Sequence, residues 1–285
     1  MRVLLTGATG FVGQSLLPYL AACGHDVIPV VRGASSLPGA LRWDLGREQA
    51  PTDLPEQIDA VVHAAQSRNH REFPKDGPEM FAVNTAGTAA LLDYATRAGA
   101  SRFCFLSTGT VYEPFRSGLA EETSLAPTSA LGASKLAAET VARPYGSIFS
   151  VSILRLFTPY GPGQTGRLIP NLIGRVRAGE PVQVSADGEG MRLAPFYVDD
   201  LCTAIELSLV ENWRGTINIA APDVISIRGI AETMGRLLGR EPVFAIGTGA
   251  AVELAPPVER LGRLLDLKLL LPFEEGLART ITAML

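Results

Sequence analysis

Three glycines near the start of the chain have the spacing of a phosphate-binding turn. Gly7, Gly10 and Gly13 follow the pattern G-x-x-G-x-x-G. Because glycine has no Cβ, each position lets the chain turn sharply and lets a phosphate approach the backbone. The amides and the positive dipole end of a following helix would then hold the anion. Three glycines predict a nucleotide site only where a strand precedes them and a helix follows.

The flanking residues have those two patterns. Residues 3–5 form a short apolar run that is typical of a buried strand. The apolar residues that recur afterwards with helical spacing are Phe11, Val12, Leu16, Leu17 and Leu20. This context favours a dinucleotide site over a tight turn in some other α/β protein.

The end of the second predicted strand bears on the choice of dinucleotide. Residues 25–32 are nearly continuously apolar from Val27 to Val31, as expected of a buried parallel strand. An NAD enzyme usually places Asp or Glu at the C-terminal end for the ribose 2′-hydroxyl, whereas an NADP enzyme offers arginine. Here Val31 stands at the position of that acidic residue, Arg32 follows it, and Asp26 precedes the strand. We expect NADP in preference to NAD; the alternative is that Arg32 is only a surface charge.

Composition and charge exclude several classes of protein. The 285 residues are 47% hydrophobic and 19% charged, which is ordinary for a packed globular enzyme. A net charge of −4 gives no electrostatic case for a nucleic acid or an anionic membrane as partner. The chain has no run of about 18 apolar residues and no signal-peptide pattern, so we predict a cytoplasmic protein with a small-molecule substrate.

The cysteines and histidines predict no metal site. Cys23, Cys104 and Cys202 are far apart in apolar contexts, so we expect buried free thiols in a reducing compartment. The three histidines are scattered and have no paired cysteine or carboxylate at ligand spacing.

The wording TGATGFVG at residues 6–13 resembles the extended short-chain dehydrogenase/reductase superfamily, in its NAD(P)-dependent epimerase/dehydratase branch. The resemblance covers nearly the whole chain and includes VVHAA at 61–65, NTAGTAALL at 84–92 and VDD at 198–200. It implies an α/β fold with a Rossmann-type doubly wound parallel sheet and a smaller C-terminal substrate-binding region. The cofactor-site positions, taken from the glycine turn, from Arg32 and from the resemblance, are Gly7, Thr9, Gly10, Phe11, Val12, Gly13, Arg32, Asp44, Leu45, Ala64, Ala65, Gln66, Leu106, Ser107, Lys135, Leu156, Phe157 and Pro159.

The resemblance also implies a catalytic centre, and one of its positions departs from the family. Thr108 falls on the Ser/Thr whose hydroxyl donates to the substrate oxygen, and Lys135 falls on the lysine of the Tyr-x-x-x-Lys helix. In that family the tyrosine exchanges a proton with the substrate, while the lysine holds the ribose and lowers the tyrosine pKa. Here Leu131 stands in the tyrosine position. A positioned acid or base contributes roughly 10²–10⁴ in rate, so its loss should cripple the usual chemistry.

Three explanations of Leu131 remain open. Another group supplies the proton, with Tyr112, Thr108, Lys135 or a bound water as candidates. Alternatively, the protein binds its cofactor but does little chemistry and acts as a sensor or scaffold. The third explanation is an altered or engineered variant. We favour the first, because the rest of the site persists.

Other motif residues are expected to have supporting roles. The resemblance implies that His63 is structural and that Asn84 supports Lys135 through backbone and water contacts. The acidic pair at 199–200 is expected to interact with a helix N-terminus rather than to act as an acid catalyst. Ser226 is predicted to open a helix that runs to Leu238.

Two positions are assigned to the substrate by the resemblance. Thr158 stands where nucleotide-sugar epimerases have an asparagine that touches the substrate phosphates. Arg192 resembles a family arginine, although it lies one residue further from Tyr197 than in most sugar epimerases.

These expectations combine into one prediction of organisation and function. Residues 1–155, with returning segments near 195–220, are expected to bind NAD(P), and residues 156–285 are expected to bind mainly substrate, with the cleft between them. We predict an epimerase/dehydratase-like oxidoreductase whose substrate is sugar-like, with nucleotide sugars as one option, or is a small carbonyl/hydroxyl compound. The alternative is an NADP-binding sensor or scaffold with little activity. The resemblance also implies a homodimer through helices at 84–99 and 129–142, whose apolar faces could equally be core.

Overall fold

Strands and helices are interspersed along the chain in the computed structural model, which describes residues 1–116 and 118–284. The first elements are β1 (Arg2–Thr6), α1 (Phe11–Ala22), β2 (Asp26–Val31), β3 (Leu41–Arg42), β4 (Ala60–His63), α2 (Gly77–Phe81), α3 (Gly87–Arg97), β5 (Arg102–Thr108), α4 (Ala130–Ala142) and β6 (Ser150–Leu156). The later ones are β7 (Pro159–Tyr160), α5 (Leu168–Ala178), β8 (Val182–Val184), β9 (Arg192–Leu193), β10 (Phe196–Tyr197), α6 (Val198–Val210), β11 (Gly215–Ile219), β12 (Ile225–Ser226), α7 (Ile227–Leu238), β13 (Phe244–Ile246), β14 (Glu253–Leu254) and α8 (Phe273–Thr282). A π-helical turn (Ala82–Ala86) joins α2 to α3, and 3₁₀ turns lie at Gly109–Tyr112, Arg143–Ser147, Leu261–Arg263 and Leu267–Leu269.

Seven strands form one sheet in the order β11-β6-β5-β4-β1-β2-β3. The pairings that join β5, β4, β1, β2 and β3 are parallel. From β1 the chain builds outward through β2 and β3, and then returns to the other side of β1 with β4 and β5. The strand order therefore reverses beside β1, which is where doubly wound sheets bind their ligands. The predicted Rossmann-type α/β fold is confirmed.

Apolar side chains on both faces of this sheet pack against helices. Leu4 and Phe103 belong to one buried cluster with Leu91 of α3. Because side chains alternate along a strand, Leu5 points to the opposite face from Leu4, and Leu16 of α1 is likewise fully buried. The nearly continuous apolar strands predicted from the sequence follow from this two-sided burial.

The chain divides into two compact units. The first unit consists of Met1–Pro114, Ser124–Arg155 and Cys202–Ile217, and the second consists of Phe115–Thr123, Leu156–Leu201 and Asn218–Leu285. In the first unit lie the glycine turn and most of the parallel sheet. In the second unit, β9 pairs with β12 and β14, while β8 pairs with β13.

The positions of Ser226, of the three cysteines and of Asp26 can be compared with what the sequence predicts. Ser226 caps α7, since its Oγ accepts from the Gly229 amide at 3.1 Å, so the predicted helix start is confirmed. Cys23 is exposed, so its predicted burial is wrong, whereas Cys104 and Cys202 are buried. Cys23 is the C-cap residue of α1, where the helix ends and leaves the core. Asp26 is the first residue of β2 rather than the residue before it, which keeps it at the N-terminal edge.

Among the described residues, no helix has the length and the apolar character that crossing a membrane requires.

Two glycines of the predicted turn have no space for a side chain. A Cβ on Gly7 would lie 2.7 Å from the carbonyl carbon and oxygen of Ala64, and Gly7 has a φ of +72°. A Cβ on Gly13 would lie 2.2 Å from the carbonyl oxygen of Gly7. Because both neighbours are backbone atoms, no side-chain rotation relieves either overlap, so these positions require glycine.

We expect the change Gly13→Ala to lower the free energy of unfolding by about 1–3 kcal/mol, because α1 must move away from the turn. The matched control is Gly174→Ala in α5, where an added Cβ has no neighbour within 4 Å. That control should raise stability by about 0.5–1 kcal/mol, because alanine favours helix. Urea denaturation of both variants checks the pair, and equal effects would contradict the steric argument.

Candidate nucleotide-binding and catalytic site

The glycine turn joins β1 to α1 and leaves the start of α1 open. The Gly10 amide donates to the Gly7 carbonyl at 2.9 Å, which closes the turn. Gly10 is the N-cap residue, and no side chain caps the helix there. Phe11 and Val12 follow in the first turn of α1, and Thr9 lies within the loop. The first amides of α1 are therefore available to an anion, and this cradle fits a dinucleotide pyrophosphate.

The exit of β4 lies directly against this turn. The backbone of Ala64 and Ala65 is the surface that a Cβ on Gly7 would strike. The Ala65 amide also donates to the Thr6 hydroxyl at 3.2 Å, which ties β4 to the end of β1. Gln66 follows and is half-buried. The small residues predicted here are thus explained by close packing of backbone on backbone.

A cavity of about 360 Å³ lies beyond the end of β2. Its lining residues are Arg32, Asp44, Gly46, Arg47, Lys75, Pro78, Glu79, Ala82 and Val83. Two positions predicted to bind the cofactor, Arg32 and Asp44, therefore meet at one cavity. Leu45 is buried beside it and packs against Gly87, where a Cβ would lie 2.8 Å from the Leu45 Cβ.

Sequence reasoning missed Glu79, which also lines this cavity. Its carboxylate lies 3.5 Å from the Arg32 guanidinium and accepts from the Asn69 side chain at 3.0 Å. The sequence offered only a carboxylate next to Pro78, in the first turn of a short helix. That feature by itself predicts no contact with Arg32, which lies 47 positions earlier.

The end of β5 carries the predicted hydroxyl. Thr108 is half-buried, and its Oγ1 accepts from the Thr110 amide at 3.2 Å and lies 2.9 Å from the Thr110 hydroxyl. Ser107 instead donates its hydroxyl to Glu139 at 2.6 Å, within the core. The Ser107 side chain is thereby engaged, so only its backbone is left for a cofactor.

Lys135 is buried beside β5. Its Nζ donates to the Leu106 carbonyl at 2.6 Å and lies 4.3 Å from the centre of the Phe105 ring. Burial lowers the pKa of Lys135 to about 7, although the Glu139 carboxylate on the same helix acts to raise it. The buried amine therefore loses its proton more readily than an exposed lysine does.

Leu131 lies one turn before Lys135 on α4. Ser129 caps this helix by accepting from the Gly132 amide at 3.1 Å. Residues four apart project from the same face of a helix, so Leu131 and Lys135 share a face. Leu131 is half-buried and offers no titratable group beside the lysine.

Tyr112, a candidate substitute for the tyrosine, is held in another network. Its hydroxyl accepts from the Arg155 guanidinium at 2.7 Å, and the guanidinium carbon lies 4.8 Å from the ring centre. Arg155 also donates to the Glu139 carboxylate at 2.8 and 3.0 Å. Tyr112 is buried in this ionic cluster.

His63 has two hydrogen bonds, and both are internal. Thr88 donates its only hydroxyl proton to the Asn84 carbonyl at 2.6 Å, so its oxygen accepts from His63 Nε2 at 2.9 Å. His63 Nδ1 then accepts from the Thr6 hydroxyl at 2.7 Å. Burial lowers the pKa of His63 to about 3, so the ring is neutral. This arrangement agrees with the structural role expected of His63.

Asn84 lies in the π-helical turn that faces α4. Its side-chain oxygen accepts from the Ser67 amide at 2.9 Å, and its amide donates to the Ser134 hydroxyl at 3.0 Å. Ser134 precedes Lys135, so Asn84 contacts α4 through the side chain of the residue next to the lysine, and the Thr85 hydroxyl donates to the Ser134 carbonyl at 3.0 Å.

The second unit contains the residues assigned to the substrate. Thr158 has a φ of +43°, a left-handed conformation that is rare for a β-branched residue. Arg192 is partly exposed and pairs with Asp187 at 3.2 Å. The pKa of Asp187 is lowered, chiefly because its carboxylate accepts from the Glu189 amide.

Three predicted cofactor positions flank Thr158. Leu156 ends β6 and is half-buried, while Phe157 is buried and donates its amide to the Ile219 carbonyl at 3.0 Å. Pro159 begins β7, and its carbonyl accepts from the Gln164 side chain at 2.7 Å.

The acidic pair that follows opens α6. Asp199 and Asp200 lie in its first turn, where the helix dipole favours negative charge. Asp200 also accepts from the Leu271 amide at 3.0 Å, and burial raises its pKa.

The fold and the glycine cradle define a Rossmann-type dinucleotide-binding protein. A model of the NAD dependent epimerase/dehydratase family matches residues 3–220. The chain belongs to this family of NAD-dependent enzymes.

Individual relatives are similar over most of the chain. UDP-glucuronic acid decarboxylase 1 of Xenopus tropicalis is 28% identical, over 98% of this chain and 71% of that protein. The low-salt glycan biosynthesis protein Agl12 of Haloferax volcanii is 30% identical over 76% of each. A dTDP-glucose 4,6-dehydratase of Streptomyces antibioticus is 28% identical over 99% of this chain and 91% of that enzyme. Among solved structures, MoeE5 in complex with UDP-glucose and NAD has a TM-score of 0.86 and 30% identity, over 100% of this chain and 98% of that one.

We expect Thr158→Asn to raise the free energy of unfolding by about 0.5–1 kcal/mol, because asparagine tolerates positive φ better than a β-branched residue. Asn212, which has a φ of +60° and is exposed, provides the reverse exchange. Asn212→Thr should lower stability by a similar amount. Thermal unfolding of both variants checks this, and a lower melting temperature for Thr158→Asn would refute it.

Proposed function

We propose that the protein is an NAD(P)-dependent epimerase/dehydratase-like oxidoreductase that acts on a sugar hydroxyl or carbonyl, with a nucleotide sugar as the first substrate class to test. The observation that carries the proposal is the buried Lys135 beside the end of β5, on the same C-terminal edge of the sheet as the glycine cradle. The sugar-nucleotide names of the relatives, which include UDP-glucuronic acid decarboxylase and dTDP-glucose 4,6-dehydratase, support this substrate class.

The proposed cofactor is NADP, with NAD as the alternative. The family is NAD-dependent, and the preference for a 2′-phosphate depends on Arg32 at the end of β2. Arg47 and Lys75 line the same cavity and add positive charge. When bound, the nicotinamide would accept or return a hydride.

Proton exchange is assigned to Lys135, with Thr108 as the hydrogen-bond donor that orients the substrate oxygen. A neutral Lys135 accepts the proton of a substrate hydroxyl, and its charged form returns a proton to a carbonyl oxygen. Tyr112 is a poorer substitute, since its hydroxyl already accepts from Arg155. Thr158 and Arg192 are proposed to contact the substrate.

A second candidate function is a nucleotide-binding sensor or scaffold with little activity. Leu131 favours it, because the leucine side chain can neither donate nor accept a proton. The experiment below separates the two candidates.

A homodimer through residues 84–99 and 129–142 remains part of the proposal. Half-buried apolar residues on α3 and α4 support it. They include Ala89, Ala133, Leu136 and Ala137.

The test is turnover of UDP-glucuronic acid, dTDP-glucose and UDP-glucose with each dinucleotide. We expect the unmodified protein to act on a member of this panel, and Lys135→Met to lose about 100-fold or more in rate. In the direction that oxidises a hydroxyl, the rate should rise with pH through about 7, because Lys135 must be neutral to accept a proton.

Two substitutions at one position provide the control. Leu131→Tyr introduces a phenol, whereas Leu131→Phe introduces a ring of similar shape without a hydroxyl. Activity that appears only in Leu131→Tyr would overturn native catalysis through this site and favour the sensor or scaffold. Activity of the unmodified protein that Lys135→Met retains would overturn the role assigned to the lysine.

The cofactor preference has its own test. Arg32→Ala should weaken the binding of NADPH by about 5-fold or more and that of NADH much less, because only NADPH carries the 2′-phosphate. Fluorescence titration of the two nucleotides measures both constants. An equal loss for both would refute a 2′-phosphate contact.

A further inference from the structure

The Glu79 carboxylate lies beside Arg32, the arginine to which the cofactor preference is assigned. One carboxylate oxygen lies 3.5 Å from Arg32 Nη1 and 3.5 Å from the Ser67 hydroxyl. The other accepts from the Asn69 side chain at 3.0 Å. These three partners come from two segments, the end of β2 and the loop that contains Ser67 and Asn69, and the Glu79 side chain is only 22% exposed, whereas Arg32 is 51% exposed.

The charges around the cavity show what this contact does. The lining contains three cationic side chains, from Arg32, Arg47 and Lys75, and two carboxylates, from Asp44 and Glu79. Of the two carboxylates, Glu79 is the one paired with Arg32. A 2′-phosphate that approaches Arg32 would meet the Glu79 carboxylate beside it, and the two anions would repel each other. A ribose 2′-hydroxyl carries no charge and leaves the Arg32–Glu79 pair intact.

We propose that Glu79 is a specificity-determining residue, which competes with the 2′-phosphate for Arg32 and so keeps the protein able to use NAD as well as NADP. This inference rests on the proposed dinucleotide site. The end of β2, from which the choice between NAD and NADP is usually predicted, therefore does not decide that choice alone. The deciding carboxylate comes from α2, and it acts through the arginine rather than on the ribose.

The decisive variant is Glu79→Gln, which has nearly the same shape and can still accept from Asn69. We expect it to tighten NADPH binding by about 5-fold and to change NADH binding less than 2-fold, as for the loss of one partly exposed charge. The ratio of the two dissociation constants is the readout. That shift should shrink as sodium chloride increases, because salt screens charge interactions near the surface.

Two further variants show whether the effect passes through Arg32. Asp93→Asn is the matched control, because it removes one carboxylate from an exposed ion pair with Arg97 on α3, outside the residues that line the cavity. It should leave the ratio unchanged. In an Arg32→Ala background, Glu79→Gln should shift the ratio less than 2-fold, because no guanidinium remains to be released. Circular dichroism and melting temperature establish that each variant is folded.

The possible results separate the role of Glu79 from the proposed function on which that role rests. An unchanged ratio in Glu79→Gln, an equal gain for both nucleotides, or the same shift without Arg32 would overturn the role of Glu79 and leave the dinucleotide site standing. Failure of the unmodified protein to bind either nucleotide would overturn the proposed function, and this inference with it. If Glu79→Gln unfolds, Glu79→Ala provides the second reading. It also removes the charge, so it should shift the ratio toward NADPH, and an unchanged ratio in that variant would overturn the role of Glu79.

Discussion

Backbone packs on backbone where β1 ends. The Gly7 Cα faces the Ala64 carbonyl so closely that one extra carbon would overlap it, and Gly13 brings α1 against the same turn. This contact fixes where the open amides of α1 lie relative to the exit of β4. Because parallel strands end at one edge of the sheet, Arg32 after β2 and Thr108 at the end of β5 lie along that same edge. The sheet therefore sets the positions of the site residues, and the two glycines let α1 and the exit of β4 approach the end of β1 closely.

A buried ionic cluster lies one turn beyond Lys135 on α4. The Glu139 carboxylate and the Arg155 guanidinium are almost fully buried, and they satisfy one another with two hydrogen bonds. Removing one member of such a pair typically costs about 3–5 kcal/mol, because the remaining charge stays buried without its partner. Glu139 lies one turn beyond Lys135 on α4 and also accepts from Ser107 of β5. The cluster thus ties the helix that carries the lysine to the strand beside it, and it accounts for the engaged hydroxyls of Ser107 and Tyr112.

The sequence predicted the parts of the site that depend on backbone. The spacing of Gly7, Gly10 and Gly13 between an apolar strand and a periodic helix has one simple physical solution, so the turn was predictable, as was the cap at Ser226. Contacts between side chains distant in sequence were not. Nothing in the pattern around residue 32 indicates that a carboxylate at residue 79 lies beside the Arg32 guanidinium, since that contact depends on how the chain after β4 returns to the end of β2. The burial of Cys23 was mispredicted for a related reason: apolar neighbours do not show on which side of a helix end a residue emerges.

The role that we propose for the buried Lys135 depends on the leucine at position 131. Beside a tyrosine, a permanently charged lysine is useful, because its positive charge favours the phenolate. Beside a leucine there is no phenol to ionise, and the apolar side chain adds nothing that would stabilise an ammonium. The pKa of Lys135 is about 7 because its burial outweighs the opposing effect of Glu139. An amine that readily gains and loses a proton near neutrality is itself suited to proton exchange. Leu131 offers no proton to exchange, and this is why we assign proton exchange to Lys135, one turn later on α4.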